Sequence, residues 1–459
     1  MSLPGFDTFR SLIESLFRGP LLRRLLLACL AILAGQCLGD GLRVLPTRAT
    51  HNDFAHYYAS SRLLLDGQPV YGSDLSPVLD AHGFNDIGAG EQVGQATNPP
   101  VLLWLFAPLA AVEPRTAFAL WLLGQLACLA GILGLTLYLL RGRISTEGGV
   151  WIVVLAIASP AVYYHLYYSQ VQLLLALMVL GAFALLQSGR GRAACALICL
   201  AGMIKLFPLA LLPWFLLRSE RPRQNAVFSG LLAAGLFLAS GPLLWLSFWT
   251  HAKPLLFQWA VASAHNFTAP SLLMRLGSIF EADLPGSFSL ACFCGSLVGA
   301  AILGGAYWLC WKSDGDLESQ FCLLTIAMLV GGMTCWIHYD VFLIFPLAAL
   351  GAVIRAEKSA WRPAQQAWLA LLVLGVFSHF LLVRTTTMEY LAEPIWQVLV
   401  CVTPLYAACG LGWTFAQRLR RNVGVTPAAA EQADVSPATV PHVLTIWPAS
   451  PTAHVTPGP

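Results

Sequence analysis

Three kinds of side chain in this sequence sit where apolar surroundings make them expensive. The first is a carboxylate. Asp53 opens the stretch DFAHYYASSRLLLDGQPVY (residues 53–71), with His56, Tyr57 and Ser60 on one helical face behind it and Arg62 further on. A carboxylate at a lipid–water boundary loses hydration, its pKa rises toward neutrality, and it becomes a better proton acceptor. The same residue is also a favoured helix N-cap. The second kind is a cation. Lys205 interrupts AGMIKLFPLALLP (residues 201–213), with Pro208 three residues on. Such a charge either meets an anion, for example a lipid phosphate, or snorkels to the headgroups. Arg275 closes HNFTAPSLLMR (265–275), nine residues after Asn266, and offers either a fork for phosphate or an interfacial anchor. The third kind comprises rings and amides at the ends of apolar runs. YYHLYYSQVQ (163–172) carries Gln170 and Gln172, and CWIHYD (335–340) carries Trp336, His338 and Tyr339 in an expected tight turn. An aromatic belt explains the tyrosines. It does not explain the amides, which need partners.

The elements that position these groups follow from composition. Of 459 residues 57% are hydrophobic and only 11% charged, too few charges for a soluble shell. The mean hydropathy of +0.69 agrees, so the chain reads as a polytopic membrane protein. A net charge of +3 excludes nucleic acid as a partner. The 12 cysteines lie mostly within apolar runs and read as small buried hydrophobes. No spacing points to a disulfide framework, a metal or a cofactor.

Apolar segments fall at 21–39, 98–112, 116–140, 150–164, 170–187, 193–204, 206–217, 226–248, 286–311, 320–335, 341–354, 364–383 and 393–416. The first is expected to be a retained span rather than a cleaved signal. The pair 193–204 and 206–217 is too short for two full crossings and is expected to be broken or re-entrant. The segment 98–112, opening Asn-Pro-Pro, is the one expected not to cross. Clusters of Arg and Lys at 18–24, 190–192, 218–223, 312, 355–362 and 418–421 are assigned to the cytoplasm by the positive-inside rule. The loop 40–97, residues 163–170, 251–275 and 336–340 then fall outside. A segment 1–20 and a tail from Asn422, rich in Pro, Ala, Thr and Val, are expected to be cytoplasmic, the tail disordered. The outer face thus gathers the carboxylate, the histidines and the aromatics.

Read in order, these stretches resemble glycosyltransferase family 87 of the GT-C superfamily, the polyprenol-phosphate-sugar-dependent membrane glycosyltransferases that include α-mannosyltransferases. DFAHYYASSRLLLDGQPVY is similar to the family's first outer loop, NPPVLLWLFAPLA to its Pro-Pro segment, and SQVQLLLALMVLGAFALLQSGR to its Gly-Gln-Val-Asn run, with Ser169 and Gln172 in place of Gly and Asn. AGMIKLFPLALLPWFLL resembles its Lys-x-x-Pro hairpin, and HNFTAPSLLMR and WIHYDVFLIFPL its later elements. The resemblance implies an all-α, GT-C-like bundle of about 12 transmembrane helices, spanning residues 21–421, with amphipathic helices in an outer-face first loop. It implies inverting transfer of a hexose, of mannose type, from a polyprenyl-phosphate donor to a lipid- or glycan-linked acceptor at the outer face of the cytoplasmic membrane. Asp53 is then the general base and His338 a second catalytic residue near the reaction centre. Lys205 and Arg275 bind the donor phosphate, and His56, Tyr57, Arg62, Gln170, Gln172, Asn266, Trp336 and Tyr339 line the substrate site. Phosphate leaves readily without an acid, so one carboxylate suffices. A transporter of a lipid-linked sugar is the rival from another class. It has no need of the polar first loop, and its functional groups belong at the midplane.

Overall fold

The computed structural model of the chain describes residues 53–84, 95–252, 266–269, 271–273, 276, 287–313, 316–332, 334–356, 362–385 and 403–423, with isolated residues between 27 and 39. Most of the expected first span, the segment 1–20, Arg275 and the tail from 424 lie outside the described residues. Among the described residues the chain is all-helical, 83% helix with no strand. Helices satisfy every backbone group within one segment, which hydrocarbon surroundings require.

The first loop contributes α1 (Asp53–Leu65) and α2 (Ser76–Ala81). There follow α3 (Pro100–Ala110), α4 (Pro114–Leu139), the bent pair α5 (Thr146–Ile157) and α6 (Pro160–Tyr168), α7 (Gln172–Gln187) and α8 (Gly191–Ile204). A 3-10 turn, Phe207–Leu211, continues as α9 (Leu212–Arg218), then come α10 (Pro222–Ser240) and α11 (Pro242–Ser247). Further along lie α12 (Ser287–Lys312), α13 (Leu317–Gly331), a 3-10 stretch Ile337–Leu343 running into α14 (Ile344–Ala356), α15 (Arg362–Thr385) and α16 (Thr403–Val423). The residues expected as a tight turn at 336–340 thus form the start of a longer 3-10 helix, and α16 runs two residues into the expected tail. Four of the described helix starts are capped by side chains. Glu113, Ser145, Ser159 and Asp316 accept from the N–H of Thr116, Gly148, Val162 and Ser319.

By length and composition, three described helices suffice to cross a bilayer: Pro114–Leu139, Phe293–Lys312 and Ile337–Ala356. The number becomes five if each bent pair counts once. This is coarser than about 12 crossings. The apolar runs are present, but they break early, by 43° between α5 and α6 and by 89° between α10 and α11. The 11-residue α3 covers only ~16 Å. The span 337–356 is 83% buried and forms the centre of the bundle, whereas α4 and α12 are 28% buried and turn most of their surface outward.

Successive helices alternate in direction, which sorts the charges. Arg143 after α4 forks onto Glu318 in α13, Arg418 in α16 bonds the Asp316 cap at 2.9 Å, and Arg355 in α14 donates to the Ser145 cap. Arg190, between α7 and α8, and Arg218 in α9 share this basic end. Lys205, His165 and His338 lie at the opposite helix ends.

Close backbone approach holds α12 to α13. A Cβ on Gly299 would stand 2.3 Å from the Gly331 carbonyl oxygen, a clash with backbone. Gly299→Ala is therefore expected to lower stability by roughly 1–3 kcal/mol, seen as earlier thermal unfolding. Gly304→Ala on the same helix, with nothing within 4 Å, is the control and does not bring unfolding earlier.

Candidate active site

The helix α1 is expected to lie on the surface as an amphipathic element. Instead it is packed into the protein, with Phe54, Tyr57, Tyr58, Ser60 and Ser61 all buried. Its sequence alternates small and aromatic residues, which lets it sit tightly along α3. Ser61 Oγ donates to the Leu103 carbonyl at 3.0 Å, Tyr58 Oη to the Val112 carbonyl at 2.8 Å, and the Phe54 ring meets Phe106 and Phe118 edge-on. This anchorage places Asp53, the first residue of α1, at the end of the bundle that carries Lys205.

Gln170 is the hub. Its side-chain oxygen accepts from Tyr57 Oη at 2.8 Å and from Lys205 Nζ at 3.4 Å. Its backbone is held just as firmly. Ser169 takes a left-handed conformation (φ 52°) that ends α6 and turns the chain into α7. Trp121 Nε1 donates to the Ser169 carbonyl at 2.9 Å, and Gln125 Nε2 to the Gln170 carbonyl at 2.8 Å. Buried His165 donates from Nε2 to Gln125 Oε1 at 2.6 Å. A hydrogen-bonded chain thus runs from α6 through α4 to Gln170, Tyr57 and Lys205.

Lys205 owes its position to a break. α8 stops at Ile204, and Lys205 is extended (φ −149°, ψ 126°). The 3-10 turn then folds back so closely that a Cβ on Gly202 would stand 2.3 Å from Leu209 Cγ. The ammonium lies 5.3 Å from the centre of the Tyr339 ring, a cation–π contact. His338 is buried, stacked on Trp336 (6.4 Å, 14°), and 5.9 Å from the Tyr168 ring; its Nδ1 has no hydrogen-bond partner among the described residues. The Lys205 charge acts on Asp53, His165 and His338 together.

Asp53 itself is half-buried. Burial pushes its carboxyl up to about 6, and the Lys205 ammonium opposes that rise. Burial likewise pushes His56 down to about 4, so this ring is neutral at physiological pH. Asp53 also acts electrostatically on Tyr57, which closes the group. The arrangement combines a desolvated proton acceptor with a cation beside it, the pairing needed to deprotonate a nucleophile and hold a departing anion.

Of the residues singled out from the sequence, the structure gathers Asp53, Tyr57, Gln170, Lys205, His338 and Tyr339, with Trp336 at the edge. Asn266 does something different. Its buried Oδ1 accepts from the Cys335 N–H at 2.8 Å, and its backbone pairs with Trp336 in an isolated antiparallel bridge. It therefore fixes the segment that carries His338. Arg62 points to solvent and is paired with Asp66 at 3.1 Å. Gln172 is fully buried at the start of α7, and neither amide atom is hydrogen-bonded among the described residues. Arg275 lies outside the described residues. Gln125 went unnoticed in the sequence. The available signal was an amide inside the long, largely apolar run of α4.

The model of glycosyltransferase family 87 matches residues 96–346, more than half of the chain. The match takes in Gln125, Gln170, Lys205 and His338 and begins beyond α1, so Asp53 reaches the group from outside the matched segment. No curated protein matches the chain. With an all-helical bundle of apolar helices and this match over more than half of its length, the chain belongs to glycosyltransferase family 87.

Proposed function

We propose that this membrane glycosyltransferase moves a hexose, of mannose type, from a polyprenyl-phosphate donor to a hydroxyl of a lipid- or glycan-linked acceptor, with inversion. The reaction takes place at the outer face of the cytoplasmic membrane, opposite the arginine-rich helix ends. Asp53 takes the proton of the acceptor hydroxyl. The oxygen attacks the anomeric carbon, the carbon–phosphate oxygen bond breaks, and the lipid phosphate departs with the electron pair. Lys205 holds that phosphate, with Arg275 as a second cation and His338 beside the reacting carbon. Tyr57, Gln170, Trp336 and Tyr339 line the sugar site. His56 and Gln172 belong to its walls. The observation that carries this reading is that Lys205 and Tyr57 meet on Gln170 while Asp53 lies within electrostatic reach of both.

The test is direct. Purified protein in lipid, given radiolabelled polyprenyl-phosphate hexoses and membrane acceptors, forms a labelled lipid or glycan and free polyprenyl phosphate. Label that crosses a bilayer without covalent transfer would replace this reading with transport.

A further inference from the structure

At the far end of α8 from Lys205 the structure holds a second polar feature that the transfer reaction does not use. A cleft of about 580 Å³ opens between the start of α8 and the start of α10, lined by Arg190, Arg192, Arg221, Glu220, Asn225 and Phe228 among others. Its volume is within the ~300–1,000 Å³ of small-ligand sites. The 14 residues of α8 put it roughly 20 Å from Lys205, so a molecule in one site is out of reach of the other.

Three guanidinium groups face this cleft with one carboxylate among them. Among the described residues, ion pairs take up Arg62, Arg143 and Arg418 but none of Arg190, Arg192 and Arg221. Glu220 forms none of these ion pairs either. It lies against the Gly189–Gly191 turn, where a Cβ on Gly191 would stand 2.8 Å from its Oε2, beside the positive end of the α8 dipole. Arg192 rests 5.8 Å from the Phe228 ring centre, which fixes its direction. Below the cleft, α10 turns outward an apolar face, with Val227 64% and Leu231 68% exposed. A cationic cleft continuous with an exposed apolar helix face matches one chemistry, a phosphate carried on acyl chains.

We propose that this cleft binds the headgroup phosphate of an anionic phospholipid in the leaflet opposite the active site, with its acyl chains along α10. The assignment requires that the chain cross a bilayer and does not depend on the transfer mechanism. The full-length protein is placed in phosphatidylcholine nanodiscs with and without phosphatidylglycerol, and retained lipid and thermal unfolding are measured. Phosphatidylglycerol is expected to be retained over phosphatidylcholine and to delay unfolding. Each of Arg190→Gln, Arg192→Gln and Arg221→Gln is expected to weaken retention about fivefold. Equal retention of the two lipids by the wild type, or unchanged phosphatidylglycerol retention by the triple variant, would overturn the proposal. The wild-type comparison stands even where a variant fails to fold. A last arm adds inorganic phosphate to phosphatidylcholine nanodiscs. Protection equal to that from phosphatidylglycerol would make this a small-anion site and end the lipid assignment, and no protection supports it.

Discussion

Replacing Asp53 by Asn lowers sugar transfer by about 10²–10⁴-fold, the contribution of a positioned general base. The substitution keeps size and shape and removes only the capacity to take a proton. The same change separates catalysis from folding. Folding raises the Asp53 carboxyl from 3.8 to about 6 through burial, so its neutral form is the one the fold prefers. Its contribution to stability is full below 3.8 and is lost as pH rises through about 6. Asn is neutral at every pH. Above pH 6 the variant is therefore expected to unfold no earlier than the wild type while its transfer collapses. Thermal unfolding and transfer measured on one preparation check both halves, and transfer near the wild-type rate would remove the base.

Lys205→Met is expected to lower kcat by about 10²–10³-fold, the scale seen when a preorganised donor to developing charge is removed. Met keeps the length of the side chain and its packing on Tyr339 while removing the charge. The loss falls on the step in which phosphate departs. A donor carrying a better leaving group should therefore regain more of its rate in this variant than the natural phosphate donor does. A uniform loss across donors would instead make Lys205 a structural prop for Gln170.

How far the site was legible depends on the residue. Asp53, Lys205, Gln170 and His338 stood out because polar groups beside apolar runs are costly and need a reason. The break after α8 was also readable, since Pro208 cannot continue a helix. Gln125 was readable only as a lone amide in a long apolar helix; its partners, His165 and the Gln170 carbonyl, have no local spacing to betray them. Asn266 stood out as an amide beside apolar runs, but its structural partner did not. Its partner, the Cys335 N–H, is 69 residues away along the chain, a contact no local pattern reveals. Arg62 has the opposite history: Asp66 four residues on was a sufficient local partner in view of the sequence. The number of crossings was the least legible feature. Hydropathy locates apolar residues, but it does not report the angle of the bends, which sit at Ser159-Pro160 and at Gly241-Pro242, where Gly241 takes φ 97°.

The central claim is that Asp53 and Lys205 act on one reaction from one site, and the pH profile of kcat/KM tests it most directly. The wild-type profile is expected to rise with unit slope to a midpoint at about 6, as Asp53 loses its proton. Because the Lys205 ammonium holds that carboxyl down against burial, Lys205→Met should move the midpoint to higher pH. A midpoint that stays in place when Lys205 is removed would mean that the two residues do not share a site.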